Sequence, residues 1–138
     1  MGVRWYELRN PQSVPELHQQ GTYAPNPMYR WMGSVAMDKK GNMLIGYSVA
    51  SGKSFPSIRY AGRSASDPPN TMSIERVVTP GRGSQTATLD RWGDYSSISV
   101  DPSDDCTFWF TTQYLAETGQ FNWHTKVFSV KFNNCNGP

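Results

Sequence analysis

Ser34-Val-Ala-Met-Asp38, followed after a short polar stretch by Met43-Leu-Ile-Gly-Tyr-Ser48, recurs without a gap as Ser97-Ile-Ser-Val-Asp101 and Cys106-Thr-Phe-Trp-Phe-Thr111. Arg30-Trp31 leads into the first copy and Arg91-Trp92 into the second. In each copy, apolar and small side chains alternate, an Asp-led turn follows, and a second run begins, which is the pattern of a β-hairpin. A hairpin repeated at fixed spacing constrains the fold strongly. Neither copy can bury its apolar side alone, so each requires a stacked or radially placed neighbour.

The remainder of the chain agrees with an all-β reading. Aromatic residues make up 13% and charged residues 17%, with 12 Gly and 10 Pro, a balance suited to strands joined by many turns. Strands are expected at Val3 to Arg9, Gln19 to Tyr23, Arg30 to Met37, Met43 to Ala50, Ser57 to Tyr60, Met72 to Val78, Ser97 to Val100, Cys106 to Tyr114 and Thr125 to Phe132, with Gln85 to Leu89 extended. Gly41 or Asn42 supplies the left-handed residue of the first hairpin turn. Grouped in fours, these strands predict a single domain over 1–138, with one four-stranded antiparallel module at about 1–71 and another at about 72–135. Four-stranded sheets repeated about an axis are propeller blades, commonly about four to eight to a ring, so the expectation is a partial β-propeller.

Several function classes are disfavoured. A net charge of +2 with scattered arginines is not the basic stripe of a nucleic-acid-binding surface. No apolar run approaches the roughly 20 residues of a membrane-spanning helix, and the first residues carry neither a signal-peptide core nor a myristoylation motif. His18 and His124 stand apart from other ligand types, so no metal site and no cofactor are expected. Ser96-Ser97 lacks the nucleophile-elbow glycines, and the Gly-rich stretch from Thr79 to Gln85 lacks the Lys-Ser/Thr end of a phosphate loop. Cys106 and Cys135 are the only cysteines; one disulfide pinning the tail, or two free thiols, are the alternatives. A disulfide implies secretion or a place in the cell envelope, directed by a signal outside this stretch.

The segments Arg30 to Asp38, Gly41 to Ser48, Pro56 to Arg63 and above all Arg91 to Trp109 resemble the C-terminal blades of exported bacterial proteins in the broad sialidase-like (BNR-repeat) propeller group. The likeness runs from about Trp5 to Cys135, and it implies fold and exported origin more than activity. The Asp-box of such blades is partly kept in Asp38-Lys-Lys-Gly41, whereas Asp101 to Cys106 lacks its glycine. A sialidase also needs three arginines converging on a carboxylate and a Tyr/Glu nucleophile pair, which the sequence alone does not assign.

Candidate ligand-binding residues are Arg30, Arg59, Arg63 and Arg91, whose guanidinium forks suit carboxylates or phosphates, together with Asp94 and Tyr95 of the Trp-Gly-Asp-Tyr-Ser-Ser stretch. The alternatives are arginines paired to Asp94, Asp38 or backbone carbonyls, and a Tyr95 ring in the core. Glu7 and Glu75 occupy corresponding outer strands but diverge too far for joint catalysis. Trp31 and Trp92 suit packing between the repeats. No catalytic residue is assigned. The expected function is a non-catalytic scaffold or an extracellular glycan- or anion-binding module, completed by self-association or by neighbouring blades. The alternative is part of a sialidase-like glycoside hydrolase in which Arg59, Arg91 and Asp94 face one pocket.

Overall fold

Nine β-strands and no helix form among residues 1–73, 75–86 and 91–136, which are those that the computed structural model describes. They are β1 (Val3–Arg9), β2 (Glu16–Tyr23), β3 (Tyr29–Met37), β4 (Met43–Ser51), β5 (Ser54–Arg63), β6 (Arg76–Thr79), β7 (Ser97–Val100), β8 (Thr107–Leu115) and β9 (Trp123–Lys131). Three antiparallel sheets result: β1-β2, β3-β4-β5-β6 and β7-β8-β9.

The all-β class therefore holds, but the grouping into two sheets of four does not: the sheets have two, four and three strands and do not close. Two pairings cause the difference. β1 takes β2 as its partner, so the first hairpin of the repeat starts a sheet of its own. β6 then pairs with β5 through Ile58↔Thr79, Arg59↔Val77 and Tyr60↔Arg76, and so belongs to the same sheet as that hairpin. The Gly- and Pro-containing stretch after Thr79 carries the chain onward to β7. Of the extended stretch expected at Gln85 to Leu89, Gln85 makes an isolated parallel bridge to Gly119, and residues 87–89 lie outside the described residues.

β4 explains how the sheets stack. Successive strand residues face opposite sides, and β4 is buried on both. Met43, Ile45, Tyr47 and Val49 join Val3 and Trp5 of β1 in one core cluster. Leu44, on the other side, joins Ile58, Ile98, Phe108 and Phe110 in a second. The central sheet is thus sandwiched between its neighbours. Gly46 lets the third sheet come close, because a Cβ there would stand 2.5 Å from Phe110 Cε1.

The two repeat turns meet. Asp38 Oδ1 accepts from the Lys40 and Asn42 amides at 2.9 Å each, and Gly41 adopts φ +81°. The second copy has no glycine, and there Asp105 takes the left-handed conformation at φ 52°. The Lys39 amide donates to the Asp105 carbonyl at 2.9 Å, joining one turn to the other. Cys106 and Cys135 form a disulfide that ties the tail to this corner.

Candidate functional site

The candidate residues fall into two separate clusters and one isolated side chain. The first cluster centres on Glu75, just before β6. Arg30 Nε, on β3, donates to Glu75 Oε1 at 2.9 Å, and Arg59 Nη1, on β5, donates to Oε2 at 2.6 Å. The Tyr47 hydroxyl donates to Oε1 at 2.9 Å. The remaining Arg30 donors go to Asn26 Oδ1 and the Met28 carbonyl, and its guanidinium lies over the Tyr23 ring. Arg59 Nε donates to Ser57 Oγ.

This cluster is internal. The Arg30 side chain has no exposed surface, Glu75 is nearly buried, and Tyr47 is wholly buried. Burial raises the Glu75 pKa, but hydrogen bonds from Arg30, Arg59 and Tyr47 outweigh it and hold the group below its ordinary value. Burial, followed by the adjacent Glu75 charge, pushes the Tyr47 hydroxyl far above the usual phenol range. A Tyr-Glu pair flanked by two arginines has the components of a sialidase centre. Here the arginines neutralise the protein's own glutamate, and Tyr47, with no exposed surface, is out of reach of a substrate.

Arg63 is isolated from that network. It is buried, its Nη2 donates to the Asp67 carbonyl at 2.6 Å, and its Nε has no partner among the described residues.

Arg91, Asp94 and Tyr95 come together in the second cluster, a cleft of about 480 Å³ on the third sheet. Thr111 and Gln113 of β8 and Trp123 and Thr125 of β9 form its wall, with Phe121 of the connection between those strands at its rim. Arg91 Nη2 donates to Asp94 Oδ2 in an exposed ion pair. Gly93, at φ +30°, sits against the Gln113 side chain, with a Cβ position 3.1 Å from its Oε1. Tyr95 is 91% exposed, Phe121 64% and Trp123 48%, and the Phe121 and Trp123 ring centroids are 5.9 Å apart. The core placement considered for Tyr95 is therefore replaced by a solvent-facing ring. Phe121 also holds φ at +53°, an uncommon conformation for a bulky residue.

The cleft is held by the neighbouring sheet. Trp92 Nε1 donates to Ser48 Oγ at 3.1 Å, its ring meets Trp31 edge-on at 5.6 Å, and Ser96 Oγ donates to the Met32 carbonyl at 2.9 Å. Residues on both sides of Gly93-Asp94-Tyr95 are thus fixed, which presents the intervening side chains outward. Arg59 does not line this cleft.

Three contributors carried little sequence signal. Glu75 lies far along the chain from Arg30 and beyond the central hairpin. Gln113 and Thr125 join the site only through the β8-β9 register, Gln113↔Thr125. Phe121 and Trp123 had a signal of a kind, since aromatic rings around the turn after Gly119 are unusual in a segment with no core to fill. Among the described residues, no group of three or more His, Cys, Asp or Glu could hold a metal ion. No family model matches the chain, and neither does any curated protein or solved structure.

Proposed function

We propose that this chain is a non-catalytic β-scaffold of an exported protein that binds a glycan in the cleft formed by Arg91, Asp94, Tyr95, Gln113, Phe121 and Trp123. The observation that carries the reading is three solvent-facing aromatic rings gathered around an ion pair and an amide in one concave site. Rings that cover no core are free to lie against the apolar face of a sugar, while Arg91, Asp94 and Gln113 offer donors and acceptors to its hydroxyls. The likeness to sialidase-like blades and the Cys106–Cys135 bridge support an oxidising, extracellular setting.

The glycosidase alternative is weaker on this geometry. It needs Arg59 beside Arg91 and Asp94, yet Arg59 is committed to Glu75. Ring completion by self-association is likewise the less favoured form of the binding reading. Where the central sheet offers Gly46 to a neighbour, the third sheet offers the half-exposed Trp109, which blocks an equivalent stacking.

The test is a screen of neutral and acidic oligosaccharides followed by titration. Trp123→Ala and Tyr95→Ala are expected to weaken the best ligand at least tenfold with the thermal midpoint unchanged, because neither ring supports the core. Loss of binding in Arg91→Ala for acidic sugars alone would assign the anion contact. Absence of any glycan ligand, or binding indifferent to all three substitutions, defeats the proposal.

A further inference from the structure

Matching the two repeats strand by strand exposes a vacant position. Ser48 corresponds to Thr111, and their partners are Ile58 and Val127, so Ile58, Arg59 and Tyr60 of β5 correspond to Val127, Phe128 and Ser129 of β9. β6 pairs with β5 at those three residues. Among the described residues nothing pairs with β9 on that side: it ends its sheet, and its main chain makes no hydrogen bond beyond that sheet. A strand edge in this state is a template for another strand.

A second observation lies beside it. A groove of about 450 Å³ separates the outer parts of the central and third sheets, with Leu44, Tyr60, Val130 and Phe132 as its apolar lining and Arg76 and Lys131 as its cations. Lys131 is paired with Asp104 at 3.0 Å, whereas the Arg76 side chain has no partner among the described residues. β9 itself, Trp-His-Thr-Lys-Val-Phe-Ser-Val-Lys, contains cations and no acid. The open edge of β9 therefore adjoins a groove that is apolar along its length and carries the unmatched charge of Arg76.

We infer that the outer edge of β9 at Val127–Ser129, with the adjoining groove and Arg76, receives an extended segment of a partner polypeptide in which aliphatic residues flank an acidic one. The segment adds as an antiparallel fourth strand. Its main chain bonds β9, alternate aliphatic side chains enter the groove, and its carboxylate pairs with Arg76. β6 shows the kind of sequence that fits such a position, since Glu75 precedes Arg-Val-Val-Thr there. This inference rests on the repeat and the groove, independently of the glycan cleft.

The probe is a synthetic peptide copying residues 71–80 of this chain, titrated into the intact disulfide-bonded protein. Binding is read by amide exchange and by chemical shifts. The expected result is a one-to-one complex with new protection of amides within Val127–Ser129. Affinity should fall at least tenfold when the peptide glutamate becomes lysine, and binding should be lost when alternate peptide nitrogens are methylated. Arg76→Glu in the protein should reverse the preference between the glutamate and lysine peptides; Arg76 is exposed and unpaired, so the variant folds. Equal binding of the methylated peptide, no binding at millimolar concentration, or protection of these amides in a dimer before any peptide is added each overturns the inference. The last result would make a second copy the occupant.

Discussion

Glu75 shows how one side chain decides the fate of several others. Arg30, with its guanidinium wholly buried, and Arg59 both direct donors at the Glu75 carboxylate. A buried charge that loses its partner costs about 3–5 kcal/mol, because water cannot replace the missing ion. Glu75→Gln is expected to lose that amount near neutral pH. The pH dependence has a definite sign. Glu75 is held below its ordinary pKa, so its contribution is complete above the unfolded value of about 4.3 and disappears as pH falls through the lower folded value. Urea unfolding of both proteins should show a wide stability gap at pH 7 that narrows below about pH 4; a gap independent of pH would sink this account. The exposed Arg91–Asp94 pair, screened by solvent, should contribute little to stability.

At the scale of strands, the hairpins were legible because their alternation is local. Val3 and Trp5, and Phe108 and Phe110, alternate with more exposed neighbours, whereas the continuous run from Met43 to Val49 marks a strand covered on both faces. The partition into sheets was less visible. Arg76–Thr79 is as compatible with opening a new module as with closing the old one, and only pairing with Ile58–Tyr60 decides it. The cleft was half legible: Gly93-Asp94-Tyr95 stood out, but Trp123 and Gln113 meet them through register, a long-range property. Gly46 gives the clearest test of how the elements dock. Its missing side chain admits the Phe110 ring, so Gly46→Ala would force the central and third sheets apart and cost about 1–3 kcal/mol. Gly52→Ala, where nothing lies within 4 Å, is the control. Equal unfolding midpoints for the two variants would show that Gly46 does not set the spacing.

At the scale of the whole molecule, the described strands stack without closing a ring, and the corner where the repeat turns meet adds polar contacts to the apolar packing between the central and third sheets. Asn42 is its centre. Its Nδ2 donates to Asp38 Oδ2 at 2.7 Å and to Asn134 Oδ1 at 2.9 Å, and its Oδ1 accepts from the Ala65 amide and from Asn134 Nδ2. Asn134 stands next to the Cys106–Cys135 bridge, whose cysteines are 29 positions apart and which fixes the tail beside it. Opening a loop of that length costs about 3–4 kcal/mol on the chain-entropy estimate. Losing the Asn134 hydrogen bonds alone costs about 1 kcal/mol, since Asn42 keeps its bonds to Asp38 and Ala65. The Cys106→Ser/Cys135→Ser double variant should therefore fall well below Asn134→Ala in unfolding free energy. Adding Asn134→Ala to the double variant should change little, because the freed tail no longer presents that residue. If the two effects instead add in full, the tail stays docked without its bridge, held by Asn134 and the packed Phe132 ring.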